Sequence, residues 1–289
     1  MVERVGVVGC GLMGSGIAEV CARAGLDVIV NEVGEAALSA GSQRIEASLT
    51  RAVAAGKLTG EQKEAAIEGI RFTTDLGELE DRELVVEAVA EDEATKLDIF
   101  ARLDKIVSSP DAVLASNTSS IPIMKLAMAT ERPEKVVGIH FFNPVPVLSL
   151  VELVTSLLTS EETAGSARLF VEGQLGKKVI LSKDRAGFIV NALLIPYILS
   201  AIRMLESGFA TAEDIDNGMV EGCAHPMGPL ALGDLIGLDT TQAVARSLYE
   251  EFKEPLYAPP PLLSRMVEAG LLGRKTGQGF YAYRRPSSA

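Results

Sequence analysis

Basic charge is scarce in this chain. Lys and Arg total 27 against 39 Asp and Glu, a net charge of −12 over 289 residues. A chain so acidic is not built as a general binder of nucleic acid or anionic membrane, and a polyanion would need a local basic patch. Cysteine is also scarce. Cys10, Cys21 and Cys223 show no CxxC spacing, so they form neither a disulfide framework nor a zinc pattern, and a reducing compartment is expected. With only two histidines there is no plausible zinc trio, and no metal is expected. Long apolar runs are missing too. Residues 186–202 carry no charge, but Asn191 and Pro196 interrupt them, and they fall short of the roughly 20 residues a bilayer span needs. A buried helix at a domain or subunit contact is the better reading. Val5-Gly6-Val7-Val8 follows Met1 with no basic region or cleavage site, so a cytoplasmic chain without a secretory leader is expected.

What is present is ordinary globular composition, 47% hydrophobic and 23% charged, with length enough for two domains. Short apolar runs at 4–8, 28–30, 70–73, 84–89, 112–115, 136–140 and 179–181 read as strands. Helical patterns lie between several of them. That alternation predicts an α/β fold, a Rossmann-type doubly wound and mostly parallel sheet. Residues 35–69 instead show two helical stretches broken at 56–60, an inserted helical hairpin. Beyond Lys183 the strand signal stops. The expectation is therefore a nucleotide-binding domain over 1–183 and an all-α domain over 184–289, with 286–289 frayed.

Gly9-Cys10-Gly11-Leu12-Met13-Gly14 fits GxGxxG, follows a strand and opens a helix. Gly9 permits the tight turn, Gly11 lets backbone approach a pyrophosphate, and Gly14 lets helix pack on strand. The phosphates would sit on N–H groups at the helix N-terminus. Glu32 ends the second strand, where a carboxylate accepts from ribose hydroxyls and repels a 2′-phosphate, so NAD is favoured over NADP. The plainer reading is a glycine-rich structural turn.

His225 lies in a turn-rich segment and reads as structural. His140 ends a strand, where open α/β sheets bind ligands. Glu152 interrupts the apolar run Leu150-Val151-Glu152-Leu153-Val154, and a buried carboxylate needs a partner. An imidazole would supply one, and the carboxylate would fix its tautomer. Taken singly, a satisfied core histidine and an edge-strand glutamate serve as well. Alcohol oxidation needs a base for the hydroxyl proton as hydride leaves the same carbon, and histidine suits that task. Ser116-Asn117-Thr118-Ser119-Ser120 follows another strand end; it either caps the next helix or places an amide and hydroxyls at a site.

These motifs, with Gly187-Phe188-Ile189-Val190-Asn191 and Lys275-Thr276-Gly277-x-Gly279-Phe280-Tyr281, resemble the 3-hydroxyacyl-CoA dehydrogenase family from residue 4 to about residue 283. Among its members the short, single-function 3-hydroxybutyryl-CoA dehydrogenases are the most similar. The resemblance implies NAD-dependent interconversion of an L-3-hydroxyacyl-CoA and a 3-ketoacyl-CoA, in fatty-acid or butanoate metabolism. It implies His140 as general acid/base and Glu152 as its orienting carboxylate. Ser119 and Asn191 would contact the substrate, with Ser119 also beside the cofactor. Leu12, Met13, Glu91, Lys96, Asn117 and Asn143 would complete the cofactor set. It also implies a homodimer through the second domain.

CoA supplies phosphates, so a basic patch is required. Arg44, Ser48 and Arg51 share one helical face of the hairpin, and Lys57 follows. A merely solvated face is the plain alternative. The family places CoA contacts in this hairpin, which favours Ser48, Arg51 and Lys57. Where some relatives carry a basic residue, this chain has Ala54-Ala55. Competing functions are a related dehydrogenase acting on a free hydroxy acid or sugar acid, a flavin enzyme, and a non-catalytic crystallin-like relative.

Overall fold

The structure, a computed structural model, describes residues 1–283; the chain end at 286–289 lies outside them. Two compact units divide the chain, Met1–Asp184 and a second beginning at Arg185.

The first unit opens with β1 (Arg4–Val8), α1 (Leu12–Arg23) and β2 (Asp27–Asn31). Four of the five residues in each strand are buried, as expected of parallel strands covered on both faces. The hairpin follows as α2 (Glu35–Ala54) and α3 (Gly60–Glu68). Thr59 starts α3 with a capping box: its side chain accepts from Gln62 N–H while Gln62 accepts from Thr59 N–H. Then come β3 (Ile70–Thr73), β4 (Leu84–Glu87), α4 (Glu93–Ile106), β5 (Val113–Ser116) and α5 (Ile123–Ala127). The unit closes with β6 (Val136–Phe141), β7 (Leu150–Thr155), α6 (Glu161–Leu169) and β8 (Lys178–Lys183).

The sheet order is β3-β2-β1-β4-β5-β6-β7-β8, and every neighbouring pair is parallel except β6 and β7. The first six positions are the doubly wound order 3-2-1-4-5-6. Glu152 therefore does not lie on an edge strand, as its plainer reading had it: β7 runs inside the sheet between β6 and β8. The connection 142–149 explains its direction. A parallel return needs a crossover of about a dozen residues or more, so this shorter link can only reverse the chain.

The second unit is helical: α7 (Val190–Glu206), α8 (Ala212–Cys223), α9 (Pro229–Ile236), α10 (Leu238–Phe252) and α11 (Pro261–Glu268). The apolar helix expected over 186–202 begins later, at Val190, and runs to Glu206. Gly187 (φ 73°) and Phe188 (φ 49°) adopt left-handed backbone, which no α-helix continues. Ile195, Ile198, Leu199 and Ile202 enter the unit's own core, while Leu193 stays 72% exposed. The segment around Phe280 and Tyr281 is tied down by Asp234, whose carboxylate accepts from both backbone N–H groups at 3.0 Å and from Tyr283 Oη at 3.0 Å. Burial, then the Asp234 charge, pushes the Tyr283 hydroxyl up to about 12. Among the described residues no helix is long and apolar enough to cross a membrane.

Candidate active site

At the C-terminal end of β1 the chain turns through Gly9 at φ 92°, where a Cβ would sit 2.8 Å from Ala88 O. A Cβ on Gly14 would fall 1.8 Å from Gly9 O, so α1 packs on the turn only because that position is glycine. Gly11 differs: a Cβ there would meet nothing within 4 Å. The open side of the loop is where a pyrophosphate fits, and α1 starts there with no side-chain cap on its first N–H groups. Leu12 and Met13 form the first helical turn, with Leu12 exposed.

Glu32, one residue beyond β2, bends back to this loop. Its Oε2 accepts from Cys10 N–H at 2.8 Å and its Oε1 from Val33 N–H at 2.9 Å. Arg44 donates to Cys10 O at 2.7 Å. The guanidinium placed by sequence on the CoA-facing side of α2 is thus committed to the glycine loop. Helix α2 can cross so close because residue 41 is glycine; a Cβ there would lie 2.1 Å from Cys10 Sγ. Burial, opposed by the Arg44 charge and reinforced by Glu32, pushes the Cys10 thiol up to about 11.

Strand pairing brings together the histidine and the glutamate that the sequence singled out. In the antiparallel β6–β7 ladder His140 stands directly opposite Glu152. Directly opposed residues share a sheet face, so their side chains meet. His140 Nδ1 lies 2.7 Å from Glu152 Oε2; the histidine is 6% exposed and the glutamate 0%. An ionised Glu152 only accepts, so this bond puts a proton on Nδ1 and the lone pair on Nε2.

The segment after β5 is held from two sides. Asn117 Oδ1 accepts from Phe141 N–H at 2.9 Å, pinning the segment to the end of β6 beside His140. Glu91 Oε1 accepts from Thr118 Oγ1 at 2.5 Å, from Ser119 N–H at 3.0 Å, and from Ser120 N–H and Oγ at 3.1 and 2.9 Å. Burial works against the ionised Glu91. The Lys96 charge and the bonds from Thr118, Ser120 and Ser119 outweigh it and hold the carboxyl below the usual range. Lys96 is 1% exposed and pairs with Glu87 at 2.7 Å and Glu91 at 3.2 Å. What the structure displays of Lys96 is therefore support for Glu91.

Sequence reasoning missed Glu87. It interrupts the apolar run Leu84-Val85-Val86-Glu87-Ala88-Val89 just as Glu152 interrupts its own, and the same rule would have announced that a buried partner must exist. Ser48, Arg51 and Lys57 line one cleft of about 330 Å³ with Arg23, Pro144 and Val147. Leu12, Arg44, Ser48, Arg51 and Asn143 line a smaller adjoining one of about 90 Å³. Asn191 belongs to the first turn of α7 in the second unit.

Both units match family models: the 3-hydroxyacyl-CoA dehydrogenase NAD-binding domain over residues 4–185 and the C-terminal domain over 187–283. The chain belongs to the 3-hydroxyacyl-CoA dehydrogenase family. It is an NAD-dependent oxidoreductase, and the glycine loop, the open face at Gly11 and Glu32 suit that cofactor. The chain is 62% identical to a 3-hydroxybutyryl-CoA dehydrogenase of Mycobacterium tuberculosis over 282 residues, covering 98% of this chain and 99% of that one. Among solved structures, FadB2 of M. tuberculosis superposes with a TM-score of 0.97 at 61% identity, covering 98% and 99% of the two chains. The (S)-3-hydroxybutyryl-CoA dehydrogenase PaaH1 of Ralstonia eutropha gives 0.93 at 45%, covering 98% and 100%.

Proposed function

We propose that this dehydrogenase interconverts L-3-hydroxybutyryl-CoA and acetoacetyl-CoA, with His140 as general acid/base and Glu152 as the group that orients it. The observation that carries the acid/base assignment is the cross-strand His140–Glu152 pair at 2.7 Å. The similarity to full-length 3-hydroxybutyryl-CoA dehydrogenases supports the substrate. NAD held by the glycine loop and Glu32 would supply the hydride acceptor for C3 in oxidation, and NADH the hydride donor in reduction. In oxidation His140 Nε2 takes the C3 hydroxyl proton, and Glu152 stabilises the imidazolium formed. In reduction the protonated ring donates to the forming alkoxide. Ser119 and Asn191 would donate hydrogen bonds to the C3 oxygen as its charge grows. Around them, Glu32 would hold a cofactor ribose, and Glu91, backed by the buried Lys96, would complete the cofactor side with Asn117 and Asn143. The test is NADH oxidation with acetoacetyl-CoA. An enzyme that binds NADH and fails to turn over acetoacetyl-CoA would sink the substrate assignment.

The cleft lined by Ser48, Arg51 and Lys57 would take the CoA phosphates, a local basic patch on an acidic chain. Arg51→Ala is expected to raise the KM for acetoacetyl-CoA several-fold, about the loss of one charge-assisted contact, and to leave the KM for NADH unchanged. Steady-state kinetics with each substrate varied in turn checks this, and an unchanged acyl-CoA KM removes Arg51 from the site.

A homodimer through the second unit fits the apolar surface of α7 that its own core leaves uncovered, Leu193 at 72% exposure and Met204 at 41%. Light scattering at micromolar concentration should give twice the chain mass; a monomer would reject this. A cytoplasmic location accords with the three unpaired cysteines.

A further inference from the structure

The segment 117–124 has its main-chain donors spent although most of it belongs to no helix or strand. Asn117 N–H donates to Glu87 O at 2.8 Å and Thr118 N–H to Ser116 Oγ at 3.1 Å. Ser119 and Ser120 N–H donate to Glu91 Oε1, and Ile121 N–H donates to Thr118 Oγ1 at 2.9 Å. Pro122 has no N–H, and Ile123 and Met124 N–H donate to Asp184 at 2.8 and 2.7 Å. A loop with this accounting is rigid without regular structure. Among the described residues the Ser119 hydroxyl alone of the four in Ser116-Asn117-Thr118-Ser119-Ser120 takes no part in the web, which leaves it for a ligand.

The web has a common root. Glu87, 0% exposed, accepts from Ser116 Oγ at 2.6 Å, from Val89 N–H at 2.7 Å and twice from Lys96 Nζ at 2.7 and 2.9 Å. Ser116 Oγ, fixed by that donation, receives Thr118 N–H. Lys96, fixed between two carboxylates, presents its charge to Glu91. A buried ammonium facing Glu91 alone would leave donors unsatisfied, and an unpaired buried charge is costly. Glu87 therefore reaches the loop along two routes, through Ser116 to residue 118 and through Lys96 and Glu91 to residues 118–120.

We propose that Glu87 is a positioning residue for the reaction: buried at the C-terminal end of β4, it sets the Asn117–Ser120 segment through Ser116 and through the Lys96–Glu91 pair, and so fixes where the Ser119 hydroxyl stands. This rests on the reading that Ser119 contacts the substrate's C3 oxygen. Glu87 itself touches neither substrate nor cofactor; through Ser116 and the loop it acts on the chemical step, and through Lys96 and Glu91 it also reaches the cofactor side. A displacement of Ser119 by about an ångström is enough to cost on the order of 10²-fold in rate.

The test is Glu87→Gln, which keeps the volume and removes the charge, assayed beside wild type and His140→Ala with acetoacetyl-CoA and NADH. The expected result is a fall in kcat of about 10-fold or more with the acetoacetyl-CoA KM within about twofold, because an interaction made mainly in the transition state is weakened; a rise in the NADH KM through Glu91 is compatible with it. Amide exchange at 117–121 should quicken in the variant while β1 and β2 keep their protection, a readout that general destabilisation would not confine to this loop. Thr118→Val removes the hydroxyl that joins Glu91 to Ile121 N–H at nearly constant volume. It should show the same kcat loss and stands in if Glu87→Gln does not fold. Folded variants with wild-type kcat, beside an inactive His140→Ala, would overturn the inference and leave the reaction standing. A wild type without activity would take down the reaction and this inference together.

Discussion

Replacing His140 with alanine is expected to lower kcat with acetoacetyl-CoA by about 10²–10⁴-fold, the range that a positioned general acid/base contributes. NADH should still bind, because the glycine loop and Glu32 form their contacts among themselves, away from β6. The substitution also removes a hydrogen bond to the buried Glu152 carboxylate, so a loss of about 1.5–3 kcal/mol of stability should accompany it. His140→Gln keeps a donor for that carboxylate and separates the two effects: activity stays low while the melting temperature recovers. Stopped assays with NADH binding read by fluorescence decide the matter. Turnover within a few-fold of wild type in a folded His140→Gln enzyme would reject histidine as the proton carrier.

Glu152→Gln is the second large effect. The carboxylate can only accept, and so it dictates a proton on His140 Nδ1. A glutamine amide can instead donate to Nδ1, which puts the proton on Nε2 and removes the lone pair that must take the substrate's hydroxyl proton. In a serine-protease triad the equivalent amidation costs about 10⁴ in kcat through the wrong tautomer, and a loss of about 10² or more is expected here. Size is preserved, so the sheet should stay intact. The double variant His140→Gln/Glu152→Gln should be scarcely slower than His140→Gln alone, because groups acting as a unit do not add. A strictly multiplicative result would show that the carboxylate serves the fold and not the ring.

Both predictions depend on a strand whose direction is not written in its residues. Leu150 to Val154 reads as an apolar run with one charge, and nothing in it distinguishes an interior strand from an edge strand or an antiparallel one from a parallel one. The short connection 142–149 decides direction, and sheet order decides burial. The pairing of Glu87 with Lys96 has the same character. The charge in an apolar strand announces that a partner must exist, but the partner lies on α4 and only the packing of that helix on the sheet identifies it. Arg44 shows the opposite failure. Its helical face was legible, yet the guanidinium went to Cys10 O because Gly41 lets α2 lie against the loop.

The sequence by itself determined the features that are local. The fingerprint Gly9-Cys10-Gly11-Leu12-Met13-Gly14, the strand runs, the hairpin over 35–69 and the loss of strand signal after Lys183 each follow from residues close together in the chain. Turn chemistry and periodicity act over a few residues, and a reader of the chain can see them directly. Tertiary structure alone decided which charges meet. It set His140 opposite Glu152, Lys96 between Glu87 and Glu91, and Asn117 against Phe141. Burial makes an unpaired charge costly, so every buried charge needs a partner. Which partner it finds depends on strand order, register and helix packing, and those are properties of the assembled sheet.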